Sequence, residues 1–194
     1  MKLLADIASI RAGVPFRGKI EPIPTGRYRL VQIRDISEER PLNPDALVRI
    51  EAREARDDHV LRRGDVLLVA RGTRNVAIPF LADVSDAITG SQVFVIRPHR
   101  DVSAEYLAFY LNQRTAQQYI SESLAGSYIR FIPKEALNDL PVIVPPMEVQ
   151  HKVVAVNRLT AMEHELLEQI KERRKQFTTE SLQQVLRRAE KSNP

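Results

Sequence analysis

The chain has no cysteine among its 194 residues. That excludes disulfides and every zinc site built on thiolates. No apolar run approaches the roughly 20 residues needed to span a bilayer, and Asp6 breaks the first apolar stretch before it could serve as a leader. A cytoplasmic location without membrane attachment is expected. There is no phosphate-cradling Walker loop and no dinucleotide fingerprint. His59, His99, His151 and His164 share no metal-ligand spacing. No acidic pair sits beside a lysine, as it does in common metal-dependent nucleases. Pro145-Pro146 follows Val144, which lacks the amide or carboxylate that amino-methyltransferases place before such a pair. No cofactor or metal site is expected on the chain, and catalysis gives way to binding as the leading function class.

Charge of one sign is not in large excess either. The net charge is +4 with a pI near 9.5, which permits nucleic-acid binding without requiring it. A DNA footprint must then come from spatial clustering of cations.

Glycine and proline are distributed unevenly. Both punctuate the chain up to Pro146; afterwards there is no glycine, and no proline until Pro194. Proline ends a strand but suits the first turn of a helix. Glu148 then falls where a negative charge meets the helix dipole favourably. The pattern divides the chain into a domain over 1–145 and a long helix over 146–191.

Within the first part, Leu3, Leu4, Ile7 and Ile10 predict an opening helix that ends near Gly13. Residues 14–26 read as loop, 27–36 as a strand, and 49–58 as charged surface. Val66–Ala70 is short and wholly apolar, like a buried strand. Strands are expected at 76–81, 87–89 and 92–97, the last two flanking a turn at Gly90-Ser91. Ser103 can cap a helix carrying Tyr106, Leu107, Tyr110, Leu111 and Tyr119. A last strand, 142–144, runs up to the prolines.

In the second part, Val149, Val153, Val156, Leu159, Met162, Leu166, Ile170 and Phe177 recur mostly at steps of three and four, as do Leu182, Val185 and Leu186 further on. So long a helix with one narrow apolar stripe requires a partner helix. Glu163 and Arg173 interrupt the seam.

Four loops carry residues that can touch DNA. Arg71-Gly-Thr73-Arg74-Asn75 places two arginines, a hydroxyl and an amide around a glycine. Arginine reads guanine or phosphate, and asparagine reads adenine; the alternative is a solvated hairpin turn. Ser127, Tyr128 and Arg130 after Gly126 have the same character, or form a loop with a packed tyrosine. Ser91 and Gln92 could touch nucleic acid or make a plain hairpin turn. Arg17 and Lys19 suit phosphates.

Several short motifs recur in order: Leu4-Ala-Asp-Ile7, Arg34-Asp-Ile36, Gly64-Asp-Val-Leu-Leu68, Thr89-Gly-Ser91, Tyr106-Leu-Ala-Phe-Tyr-Leu111, Gly126-Ser127 and Leu140-Pro-Val-Ile-Val-Pro-Pro-Met-Glu-Val-Gln150. With them the chain resembles the specificity subunits of type I DNA restriction–modification systems. Met147 and Val149 depart modestly from the usual motif. The resemblance implies an α+β architecture, a mixed α/β target recognition domain followed by a C-terminal coiled-coil helix. It implies a non-catalytic subunit that reads double-stranded DNA for a partner adenine methyltransferase, which would carry S-adenosylmethionine, and that can also serve a restriction motor subunit. Typical members carry two recognition domains and two antiparallel helices. This sequence has one of each, so the resemblance implies a homodimer on a split palindrome, with Val153, Val156, Leu159, Met162, Leu166, Ile170 and Phe177 in the seam. The other readings are an assembly adaptor without DNA readout and a small metal-dependent nuclease.

Overall fold

The computed structural model describes residues 1–18, 20–72, 75–124 and 131–191, the side chains of 185, 186 and 188–191 apart. In chain order the elements are β1 (Lys2–Leu3), α1 (Leu4–Ile7), β2 (Ala8–Ala12), β3 (Tyr28–Val31), β4 (Val48–Ile50), β5 (Asp65–Val69), β6 (Ala77–Phe80), β7 (Ala87–Thr89), β8 (Val93–Pro98), α2 (Ala104–Asn112), α3 (Arg114–Ser123), α4 (Lys134–Asn138), β9 (Pro141–Val142) and α5 (Met147–Lys191). This is the mixed α+β arrangement with a long terminal helix that the sequence predicts. Among the described residues no helix is long and apolar enough to cross a membrane.

The chain forms two compact units, Met1–Val154 and Ala155–Pro194. The first includes about two turns of α5, so the compact unit extends past the prolines that mark the change of secondary structure.

An antiparallel sheet of order β2-β8-β5-β6 lies at the centre of the first unit. All five residues of β5 are buried, because both faces of the sheet are covered. Val66, Leu68, Phe94 and Ile96 pack toward a core that includes Leu107, Leu111 and Ile120 of α2 and α3. Leu67, Val69, Val93 and Val95 face a second core with Val31, Leu61 and Phe80. Successive strand residues point to opposite faces, so Val66–Val69 alternate between the two cores without a polar residue, and only Asp65 at the head of the strand is charged. A second sheet, order β4-β3-β7, pairs β3 antiparallel with β4 and parallel with β7. Tyr28, Leu30, Ile50 and Ile88 pack with Val14 in a third core. Ile50 and Ala52 are thus buried inside an otherwise charged stretch.

Four expectations need correction. The opening helix is one turn long, and Ile10 lies in β2, paired with Ile96. Leu4 and Ile7 keep helical spacing, but from Ala8 onward the edge of β8 offers a ladder of hydrogen bonds that local propensity does not outweigh. The strand expected over 27–36 ends at Val31, and a 3-10 turn occupies Ile33–Asp35. The strands flanking Gly90-Ser91 do not form a hairpin: β7 belongs to the three-stranded sheet and β8 to the four-stranded one. The helix after Ser103 is two helices, broken at the extended Gln113. The break brings Asn112 against the edge strand β6, where its amide accepts from the Ala77 N–H and donates to the Ala77 carbonyl, both at 2.8 Å. The side chain thereby supplies the pairing that β6 lacks on that side.

The junction with α5 is held by three side chains. Gln150 is fully buried. Its Oε1 accepts from the Ser103 N–H at 2.9 Å, and its Nε2 donates to the carbonyls of Asp101 and Pro145, both at 2.8 Å. The Tyr106 hydroxyl donates to the Ile143 carbonyl at 2.7 Å, and that of Tyr110 to the Pro141 carbonyl at 3.1 Å. Burial, with Tyr110 nearby, holds the Tyr106 phenol above its ordinary pKa, so it stays a donor. The Leu4 N–H donates to the Leu140 carbonyl at 2.9 Å, and β1 pairs with β9.

The second unit is helix throughout its described length. Val156, Leu159, Met162, Leu166, Ile170 and Phe177 are each at least half exposed, Phe177 at 72%. Val153 is half-buried and belongs to the first unit.

Candidate nucleic-acid interface

Four loop segments, far apart in sequence, are joined by backbone hydrogen bonds at the ends of β5, β7 and β8. The Ser91 N–H donates to the Val14 carbonyl at 3.0 Å, and the Val14 N–H to that of Thr89 at 2.7 Å. The Ala70 N–H donates to the Gln92 carbonyl at 2.8 Å, and the Ala70 carbonyl accepts from Ile132 at 2.9 Å. Arg71 is bridged to Phe131, and the Phe131 ring lies 5.6 Å from that of Phe94. The segments around Val14, Ala70, Ser91 and Phe131 therefore converge.

Glycine makes this closeness possible. A Cβ on Gly13 would stand 2.3 Å from the Thr89 carbonyl oxygen, a distance no side chain tolerates. Gly72, directly after Arg71, has a φ of 118°, which glycine adopts readily and other residues do not.

Five expected contact residues fall in the described part. Arg17, Arg71 and Gln92 are exposed and Ser91 is half-buried, on three of the converging segments. Asn75 differs. It is buried, and its Nδ2 donates to the Val69 carbonyl at 2.9 Å, while its backbone carbonyl accepts from Gln117 Nε2 at 2.8 Å. That amide closes the turn between β5 and β6, which corrects the expectation of an adenine reader: a buried amide with a satisfied donor is not offered to a base edge. Lys19, Thr73, Arg74, Ser127, Tyr128 and Arg130 lie outside the described residues.

Arg34 and Phe16 are not among the expected contact residues. Both border a cleft of about 470 Å³ with Gln32, Ser91 and Gln92. Arg34 stands in the Arg34-Asp-Ile36 motif, yet nothing local marks it as a contact residue, since an arginine before an aspartate is ordinary; the 3-10 turn brings it to this edge. Some cations elsewhere are engaged in ion pairs. Arg29 and Arg49 both pair with Asp86. Arg97 forms a two-pronged ion pair with buried Asp65, at 2.7 and 2.8 Å. Burial pulls the Arg11 guanidinium below its ordinary pKa, against the raising effect of Asp65. Among the described residues no group of three or more histidines and carboxylates is placed to hold a metal.

Comparison with known proteins bears on this arrangement. Residues 1–175 match the family described as the type I restriction modification DNA specificity domain. No curated protein matches the chain. The fold is similar to that of the HsdS subunit from Thermoanaerobacter tengcongensis, at 19% identity and a TM-score of 0.58, covering 84% of this chain and 37% of that one. A chain solved in work on complex assembly and conformational transition of the type I R-M system gives 20% and 0.59, covering 85% and 38%. The S subunit of a type I restriction–modification system from M. genitalium gives 14% and 0.51, covering 84% and 38%. The chain thus spans well under half the length of these relatives.

Proposed function

Because this chain belongs to the type I restriction modification DNA specificity family, we propose that it is the non-catalytic subunit that reads one half of a split DNA site. Two copies would pair through α5 and deliver a partner adenine methyltransferase, with S-adenosylmethionine on that partner and a restriction motor subunit able to join. The observation that carries this reading is the convergence of the segments around Val14, Ala70, Ser91 and Phe131, with Arg17 and Arg71 exposed on it. Loops on a sheet held between two cores make a rigid platform for groove contacts. Base flipping and methyl transfer would belong to the partner.

Two identical recognition domains related by a two-fold axis read the same half-sequence on opposite strands. The methylated site is therefore expected to be an interrupted palindrome with symmetrically placed adenines. Methylome sequencing of a host expressing this chain with its methyltransferase tests the proposal. An asymmetric site would reject the identical pair and require a different second specificity chain.

Arg17 and Arg71 are expected to behave differently. Arg17→Ala should weaken binding to all sequences alike and reduce the slope of log K against log salt by about 0.9, because phosphates are the same at every step. Arg71→Ala should cost about 1–3 kcal/mol on the recognised site and relax discrimination at one base pair. Competition binding on recognised and scrambled duplexes at several salt concentrations measures both. Equal losses on the two duplexes for Arg71→Ala would make it a phosphate contact as well.

A further inference from the structure

The cleft beside the converging loops has the composition of a pocket rather than of a groove wall. Leu30, Val31 and Val93, themselves buried in the cores, lie beneath it. Phe16 stands at one side, and a Cβ placed on Gly90 would lie 3.7 Å from its ring, so Gly90 leaves the space beside the aromatic open. Gln32, Arg34, Ser91 and Gln92 are also among its lining residues. Arg34 is weakly held: its Nε is 3.9 Å from Asp35 Oδ1, at the limit of an ion pair, and its side chain is 67% exposed. The other carboxylate oxygen of Asp35 accepts from the Gln32 N–H at 2.9 Å.

A lining that combines an aromatic ring with two glutamines, a serine and an arginine suits a flat, nitrogen-rich ring with polar edges. Such a ring stacks on the aromatic and is read at its edge by groups that both donate and accept. The volume lies within the range of small-molecule sites. The position indicates where the ring would come from: Ser91 and Gln92 line the cleft, and the Gln92 carbonyl is bonded to Ala70, next to Arg71.

We propose that the cleft between Phe16, Arg34 and Gln92 receives one unstacked nucleobase from the bound DNA, stacked against Phe16 and met at its edge by Gln32 and Gln92. The proposal rests on the chain reading DNA, and makes one position of the half-site recognised outside the stack. Protein loops that hold a base this way reward DNA in which that base is already unpaired, because the unstacking cost has been met in advance.

The test uses the full chain, labelled on its Ile, Leu and Val methyl groups and assembled with its methyltransferase. It is titrated with the recognised duplex and with versions of that duplex carrying one unpaired extra nucleotide at successive positions. At one position the bulged duplex should bind roughly tenfold tighter than the paired one, in line with one base–aromatic stack, and should shift the methyl signals of Leu30, Val31 and Val93. Phe16→Leu and Gly90→Val should each bring that ratio to about one, the first by removing the ring and the second by filling the space. Phe16→Tyr should keep it, and the methyl spectrum of each variant reports whether it folds. Equal binding of bulged and paired duplexes at every position, with specific binding intact, would overturn the cleft assignment alone. So would a preference that survives both substitutions, or saturation of the cleft by free deoxynucleoside monophosphates at the same concentrations. If the paired duplex binds no tighter than a scrambled one, the DNA-reading proposal itself falls.

Discussion

Glutamate at both Leu166 and Ile170 is expected to convert a dimer of this protein into monomers whose globular unit remains folded. Among the described residues beyond Val154 none is buried: Leu159, Met162, Leu166 and Ile170 are each more than half exposed. A row of this kind is stable in water when a second helix covers it. Each leucine or isoleucine so covered contributes about 1.5–3 kcal/mol. Two substitutions remove four such groups from a symmetric pair and put four charges in their place. The dissociation constant should rise by at least about 10⁴-fold, at about 1.4 kcal/mol per decade. The first unit should be unaffected, because its cores lie within residues 4–142. Light scattering over a concentration series and circular dichroism measure the two halves of this expectation. A substituted chain that stays dimeric would place the seam elsewhere, and an unsubstituted chain already monomeric at high concentration would remove the self-pairing.

Arg97→Met is expected to destabilise the globular unit by about 3 kcal/mol, whereas Asp65→Leu combined with Arg97→Met should cost much less than the two single changes together. Asp65 is 1% exposed at the head of the central strand β5. Arg97 Nε and Nη2 hold both its oxygens, and the Arg62 N–H donates to Oδ2 at 2.8 Å. Removing the guanidinium alone strands a buried carboxylate, and losses of that kind run near 3–5 kcal/mol. The lower end applies here because the Arg62 N–H remains and the charge of Arg11 still acts on Asp65. Replacing both partners removes the charge instead of stranding it, so the cycle should be strongly non-additive. Urea unfolding of the four proteins provides the measurement. Additive losses would mean that Asp65 is served by its other neighbours and that the pair is incidental.

Much of the chain could be read before it was folded. The apolar run Val66–Ala70 announced a strand covered on both faces, because neither face carries a polar alternate over that run. The prolines at 145 and 146 and the glycine-free run after them fixed where α5 starts, since backbone chemistry alone forbids a strand and permits a helix. The unpartnered stripe on α5 followed from residue spacing. These features depend on local sterics and on periodicity, both of which act within a few residues of the position concerned.

The rest depended on which segments meet. Leu4, Ile7 and Ile10 fit a helix until β8 offers its edge, and only then does Ile10 become a strand residue. Gly90-Ser91 resembles a hairpin turn, yet the chain changes sheets there, a choice made by the partners of β7 and β8 rather than by the turn. Asn75 has the chemistry of a base reader, and its burial against the Val69 carbonyl turns the same amide into a strut. Arg34 carries no local mark of a contact residue, although it opens the Arg34-Asp-Ile36 motif, and it reaches the cleft because Ile33–Asp35 curls beside Gly90. A side chain's type can be read from sequence; whether its donors are free or already satisfied is decided by residues tens of positions away, and in this protein that decision came only with the packing of the two sheets.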